Sequence, residues 1–125
     1  MSEYLIDTNV FSKIFKGDSK VKSFVERLDA AIDAAIYIEC LQDSKSNQEK
    51  RFIENYLANF PVLLITPDIS KRAIDLIDTY SNSFGLLLPD ALIAATALEN
   101  DLTIVTYNID DFKFIQGLKY LKPAV

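Results

Sequence analysis

Short, almost uninterrupted apolar runs alternate along this chain with longer segments whose apolar residues recur at helical spacing, a pattern that few architectures accommodate. Tyr4-Leu5-Ile6 ends at Asp7, and Val10, Phe11, Ile14 and Phe15 then predict a helix over Thr8 to Phe15. Gly17-Asp18-Ser19 interrupts it. Asp18 or Ser19 is placed to cap a second helix carrying Val21, Phe24, Val25 and Leu28. Ala30 to Leu41 is almost wholly apolar apart from Asp33 and Glu39, and periodicity reads it either as a buried strand leading into a helix or as one buried helix. Phe52, Ile53, Tyr56, Leu57 and Phe60 form a helical stripe that ends at Pro61.

Val62 to Ile65 is expected to form a buried parallel strand, and Thr66-Pro67-Asp68 separates it from a helix carrying Ile69, Ala73, Leu76, Ile77 and Tyr80. Ser81 to Gly85 is expected as a loop, Pro89 to Asn100 as a helix rich in small apolar residues, and Thr103-Ile104-Val105 as another buried strand. A short last strand is expected within Leu118 to Leu121. Strands alternating with helices imply right-handed crossovers and a mainly parallel sheet covered on both faces, an α/β fold. The 125 residues, 50% of them apolar, suffice for one core, and no linker or repeat divides the chain, so residues 1–125 read as a single domain.

The amino terminus has neither the basic start nor the apolar stretch of a signal peptide, and no run is long enough to span a membrane. A cytoplasmic protein is expected. The chain has one cysteine and no histidine, which removes an internal disulfide, Cys/His zinc sites and every histidine-dependent nucleophile arrangement. Cys40 reads as a small buried hydrophobe. The net charge of −5 opposes gripping nucleic acid by bulk electrostatics alone, although metal ions at an acidic cluster would reverse the local sign.

In parallel α/β sheets ligands gather outside the carboxyl ends of the strands. Asp7 follows the first strand, Asn108 and Asp111 follow the strand at Thr103 to Val105, and Asp90 opens a helix. Each has a simple structural alternative: Asp7 and Asp90 as helix-terminus residues, Glu39 on the exposed stripe of a half-buried helix, Asp110 and Asp111 as turn formers. Together they could converge on one crevice, where their mutual repulsion would be relieved by a hard divalent cation such as Mg²⁺ or Mn²⁺.

The chain resembles the PIN-domain family, and more narrowly the VapC-type toxins of bacterial toxin–antitoxin pairs, over nearly its whole length. The matching pieces are Leu5-Ile6-Asp7-Thr8-Asn9-Val10, Ile38-Glu39, Leu88-Pro89-Asp90-Ala91-Leu92-Ile93-Ala94-Ala95-Thr96-Ala97, and Leu102-Thr103-Ile104-Val105-Thr106-Tyr107-Asn108 followed by Asp111-Phe112. The resemblance implies a three-layer α/β/α sandwich, metal-dependent endoribonuclease activity using metal-activated water, a homodimer, and an antitoxin protein that occupies the active-site groove. It assigns Asp7, Glu39 and Asp90 to three central acidic positions that hold the metal and Asp111 to a less regular fourth, with Asn9, Thr106 and Asn108 in support. Lys13, Lys16 and Lys45 lie near these motifs in sequence and are candidates for contacting RNA, against the plain alternative of solvated lysines.

Three residues depart from the family pattern: Tyr107 where many relatives carry Arg, Asp43 where Gly is common, and Phe84 before Gly85 where His would be unsurprising. They sustain an alternative in which the chain keeps antitoxin binding or another interaction role with weak or lost cleavage. A phosphatase of the haloacid-dehalogenase type is a further alternative, disfavoured because the second acidic position of that motif is occupied by Asn9.

Overall fold

The computed structural model describes residues 2–125. The runs predicted as strands form a five-stranded, wholly parallel sheet: β1 (Tyr4–Ile6), β2 (Ala30–Asp33), β3 (Val62–Leu63), β4 (Thr103–Val105) and β5 (Lys119–Leu121), in the order β3-β2-β1-β4-β5. The helices are α1 (Thr8–Phe15), α2 (Ser19–Glu26), α3 (Ala34–Gln42), α4 (Asn47–Leu57), α5 (Pro67–Phe84) and α6 (Leu88–Asn100). Right-handed crossovers put α1 to α4 on one face and α5 and α6 on the other, since the strand order runs one way from β1 to β3 and returns across the sheet to β4. The result is the three-layer α/β/α sandwich.

Leu5, Ile6, Ile104 and Val105 are fully buried at the centre of the sheet, which is why β1 and β4 read as unbroken apolar runs. The ambiguous segment resolves into strand then helix. Asp33 makes the break, accepting a hydrogen bond from the Ile36 N–H at 2.8 Å as the cap of α3. Asp18 caps α2 in the same way through the Val21 N–H.

Two expectations are corrected. The strand expected over Val62 to Ile65 is only Val62–Leu63, and it lies at the sheet edge, with Val62 39% and Leu64 71% exposed. An apolar run reports propensity but not position in a sheet, and an edge strand lacks a neighbour on one side. Ser81 to Phe84 belongs to α5 rather than to a loop. Its polar residues face outward, while Tyr80 and Phe84 pack one helical turn apart against Phe114, with the Phe84 and Phe114 rings parallel at 4.7 Å. Gly85, at φ +73°, ends the helix in the left-handed conformation.

Candidate metal and nuclease site

Asp7 leaves β1 and caps α1, its Oδ1 accepting from the Thr8 N–H at 2.8 Å. Its Oδ2 accepts from Asn9 Nδ2 at 3.0 Å and from the Thr106 hydroxyl at 2.9 Å. The capping and functional readings of Asp7 are therefore compatible. The orientation of this network is determined by its far end: the Tyr107 N–H donates to Asn9 Oδ1, so the Asn9 amide nitrogen must face Asp7 and Thr106. Thr106 Oγ1 also accepts the Asn108 N–H at 3.0 Å. Asn108 thus supports the site through its backbone, while its side chain is exposed.

Glu39, on α3, receives the Thr8 hydroxyl on Oε1 at 2.8 Å. Asp90 sits half-buried in the first turn of α6, and its carboxylate accepts no hydrogen bond from the described residues. Asp111 ends a single 3-10 turn, Ile109–Asp111, and is exposed. The four carboxylates feel one another. Burial, with smaller contributions from the charges of Glu39 and Asp111, raises Asp7 to about 6 against the hydrogen bonds from Thr106 and Thr8. Burial likewise raises Asp90 to about 7, with Asp7, Asp111 and Glu39 adding repulsion.

Among the described residues, no Lys or Arg forms an ion pair with any of these four side chains. Nor do three Asp, Glu or Cys side chains among them approach closely enough to make a finished metal cage. The arrangement is an open, uncompensated anionic cluster with oxygen donors only, the donor chemistry that suits a hard divalent cation.

A family model described as PIN domain matches residues 4–117. The chain belongs to the PIN-domain family. A Rickettsia felis protein named Ribonuclease VapC1 is 30% identical over 125 residues, covering 94% of this chain and 93% of that protein. A chain in the solved structure of a toxin-antitoxin complex from Klebsiella pneumoniae matches with a TM-score of 0.81 at 29% identity, over 97% of this PIN domain and 98% of that chain. VapBC2 from Rickettsia felis, solved bound to a DNA fragment from their promoter, matches at TM-score 0.80 and 23% identity over 95% and 97% of the two chains, a likeness of fold alone.

The lysines divide. Lys13 lays its ammonium over the Tyr107 ring, 4.4 Å from the centroid. Lys16 and Lys45 border a cleft of about 270 Å³ shared with Thr8, Ser12 and Asp43, beside Glu39's hydrogen-bond partner. Phe84 instead belongs to the aromatic group at the end of α5. A larger cavity of about 500 Å³, around Asp29, Ala30 and Pro61, lies at the amino ends of β2 and β3 and contains none of the four carboxylates. Cys40 is the buried hydrophobe expected, its thiol pushed up to about 12 mainly by burial.

Sequence reasoning missed two features of this PIN domain. Thr8 positions Glu39; its signal was a hydroxyl at the first helical position after the strand-end Asp. Asp33, wholly buried, caps α3 through Oδ1 and receives the Thr96 hydroxyl on Oδ2 at 2.8 Å, joining the helices that carry Glu39 and Asp90. A lone carboxylate within an apolar run was the available sign.

Proposed function

We propose that this PIN domain is a metal-dependent endoribonuclease and the toxin of a toxin–antitoxin pair. The observation that carries this reading is the uncompensated carboxylate cluster at the carboxyl ends of the central strands, where Asp7 is held by three hydrogen bonds and Asp90 by none. The ribonuclease name of the Rickettsia relative and the toxin-antitoxin complex from Klebsiella support it.

Asp7, Glu39 and Asp90 would hold Mg²⁺ or Mn²⁺, with Asp111 completing or positioning the set. When bound, such an ion supplies positive charge and Lewis acidity toward a phosphodiester and makes a neighbouring water more acidic. Asn9 and Thr106 orient Asp7, and the Thr8 hydroxyl orients Glu39. Asp90, raised to about 7 mainly by burial, would give up its proton on holding the ion. Asn9, committed through both ends of its amide, is not available as the acid/base of an aspartyl-phosphate mechanism.

RNA is the proposed substrate, an antitoxin protein the proposed inhibitor, and a homodimer the proposed assembly, in the cytoplasm. Among the described residues no helix is long and apolar enough to cross a membrane. The test is cleavage of a mixed RNA pool with Mg²⁺ or Mn²⁺. Activity is expected with either ion and absent with chelator, Asp7→Asn or Asp90→Asn, each variant keeping its circular dichroism spectrum. Undiminished cleavage in EDTA or in both variants would rule out this chemistry. A chain that binds the product of an adjacent gene but cuts no RNA would be an interaction protein instead.

A further inference from the structure

Beside the carboxylates, on the β4 side, the side chains change character. Tyr107 is half-buried at the rim, and with Asn108, Ile109, Asp110, Asp111 and Lys122 it lines an open cleft of about 420 Å³. Its backbone N–H is tied through Asn9 to Asp7, so the position of this residue is coupled to that of the proposed metal ligand. Its hydroxyl donates to the Val125 carbonyl at 3.4 Å, and Lys13 Nζ lies over the ring 4.4 Å from its centroid. The ring thus has one long hydrogen bond at its hydroxyl and carries a cation on one side.

Neither Lys13 nor Lys122 forms an ion pair with the described residues, although the chain as a whole is acidic. Asp110, the other acid in the cleft, is engaged by Lys113 at 2.9 Å. A ring with an ammonium over one face, a second cation outside any ion pair and an open cleft adjoining Asp111 have the composition of a single-strand subsite: a platform on which a base can stack, beside a charge for a backbone phosphate. A duplex would withhold its base faces from such a ring.

We propose that Tyr107, with Lys13 and Lys122, forms a subsite for an unpaired nucleotide of the RNA substrate, its base stacked on the Tyr107 ring and its phosphate met by Lys122. This rests on the nuclease reading above. Lys13 acts through the ring it covers, and Tyr107 takes up the role of substrate contact at a position where a plain cation would bind phosphate alone.

The experiment compares wild type with Tyr107→Leu, Tyr107→Phe and Lys122→Gln in Mn²⁺-supported cleavage of a labelled single-stranded RNA, measuring KM, kcat and the salt dependence of KM. Tyr107→Leu is expected to raise KM by roughly 5- to 100-fold, the value of one base–aromatic stack, with kcat little changed. Tyr107→Phe, which restores the ring, should recover the wild-type KM. Lys122→Gln, on an exposed segment whose loss of charge leaves the fold intact, should reduce the slope of log KM against log salt by about 0.7, the contribution of one phosphate contact on a single strand. Photocrosslinking of 4-thiouridine-substituted RNA should label the peptide containing Tyr107. If wild type cuts RNA while Tyr107→Leu keeps its KM and the crosslinks map elsewhere, the subsite is wrong and the nuclease reading stands. If Tyr107→Phe fails to recover what Tyr107→Leu loses, stacking is not the cause. If wild type cuts no RNA at all, both fall together.

Discussion

The Thr106 hydroxyl donates to Asp7 Oδ2 at 2.9 Å across 99 positions of sequence, joining the ends of the two central strands β1 and β4. The same oxygen accepts from Asn9 and from the Asn108 N–H, so it is fully used. Thr106→Val should therefore leave two donors without their acceptor and Asp7 with one hydrogen bond fewer, costing about 1–3 kcal/mol. Thr106→Ser, which keeps the hydroxyl, should cost much less and retain cleavage. Thermal melts together with RNA cleavage check this; a Ser variant that loses as much as the Val variant would contradict a dominant role for the hydroxyl.

Neutralising the cluster should have unequal effects at two of its members. In chelator at pH 8, Asp90→Asn is expected to melt above wild type, because Asp90 is raised to about 7 by burial and repulsion and has no hydrogen bond to lose. Both Asp7 oxygens accept hydrogen bonds, so Asp7→Asn sets its amide nitrogen against either the Thr8 N–H or the Asn9 amide, and this donor conflict of about 1–3 kcal/mol offsets the relief. Millimolar Mn²⁺ should raise the melting temperature of wild type and much less that of either variant. An Asp90→Asn protein that melts lower than wild type without metal would show that its helix-terminus role outweighs repulsion.

The pH dependence follows from the same two groups. Both folded values are raised, to about 6 for Asp7 and about 7 for Asp90 from 3.8, so the native state holds these protons more tightly than the unfolded chain. Their contribution to stability is complete below pH 3.8 and is lost as pH rises to about 7. For Asp7 alone the change is on the order of 3 kcal/mol. Metal-free Asp7→Asn and Asp90→Asn should each show a flatter decline across this window. Mn²⁺ should stabilise wild type increasingly over the same range, since ligating carboxylates must be deprotonated. Denaturant midpoints at several pH values, with and without Mn²⁺, measure both slopes; parallel curves would contradict metal binding by these residues.

At Asp33 the corresponding substitution should be harmless. Asn can still cap α3 through its carbonyl and can donate to Thr96, whose hydroxyl hydrogen also reaches the Leu92 carbonyl at 2.8 Å. Burial raises the Asp33 value as well, so Asp33→Asn removes a penalty at neutral pH. Asp33→Ala should lose the cap and cost about 2 kcal/mol. Melting curves separate the two; a strongly destabilised Asn variant would show that the carboxylate charge itself is required.

Self-association is expected in solution. Phe84, Leu87 and Leu88 are 57%, 68% and 65% exposed, an apolar surface that a second copy could cover. Light scattering at tens of micromolar should give the mass of two chains, and Leu87→Glu with Leu88→Glu should shift it toward one. A strictly monomeric wild type would contradict the expectation.

Amphipathic and apolar periodicity in the chain already determined the alternation of strands and helices, the parallel sheet, and the placement of Asp7 and Asp90 at element ends, because each of these depends on neighbours within one element. Glu39 was legible only as a charge that an apolar segment had to accommodate. Tertiary structure decided the rest. Whether Val62 to Ile65 lay inside the sheet or at its edge depended on which strands flank it, and the length of α5 depended on Phe114 meeting Tyr80 and Phe84. The partners of Thr8, Asn9, Asp33 and Thr106 lie 31, 98, 63 and 99 positions away, and local spacing carries no record of such distances. A hydrogen bond's direction depends on every other bond its atoms make, so the orientation of the Asn9 amide, and with it the setting of Asp7, exists only once β1 and β4 lie side by side.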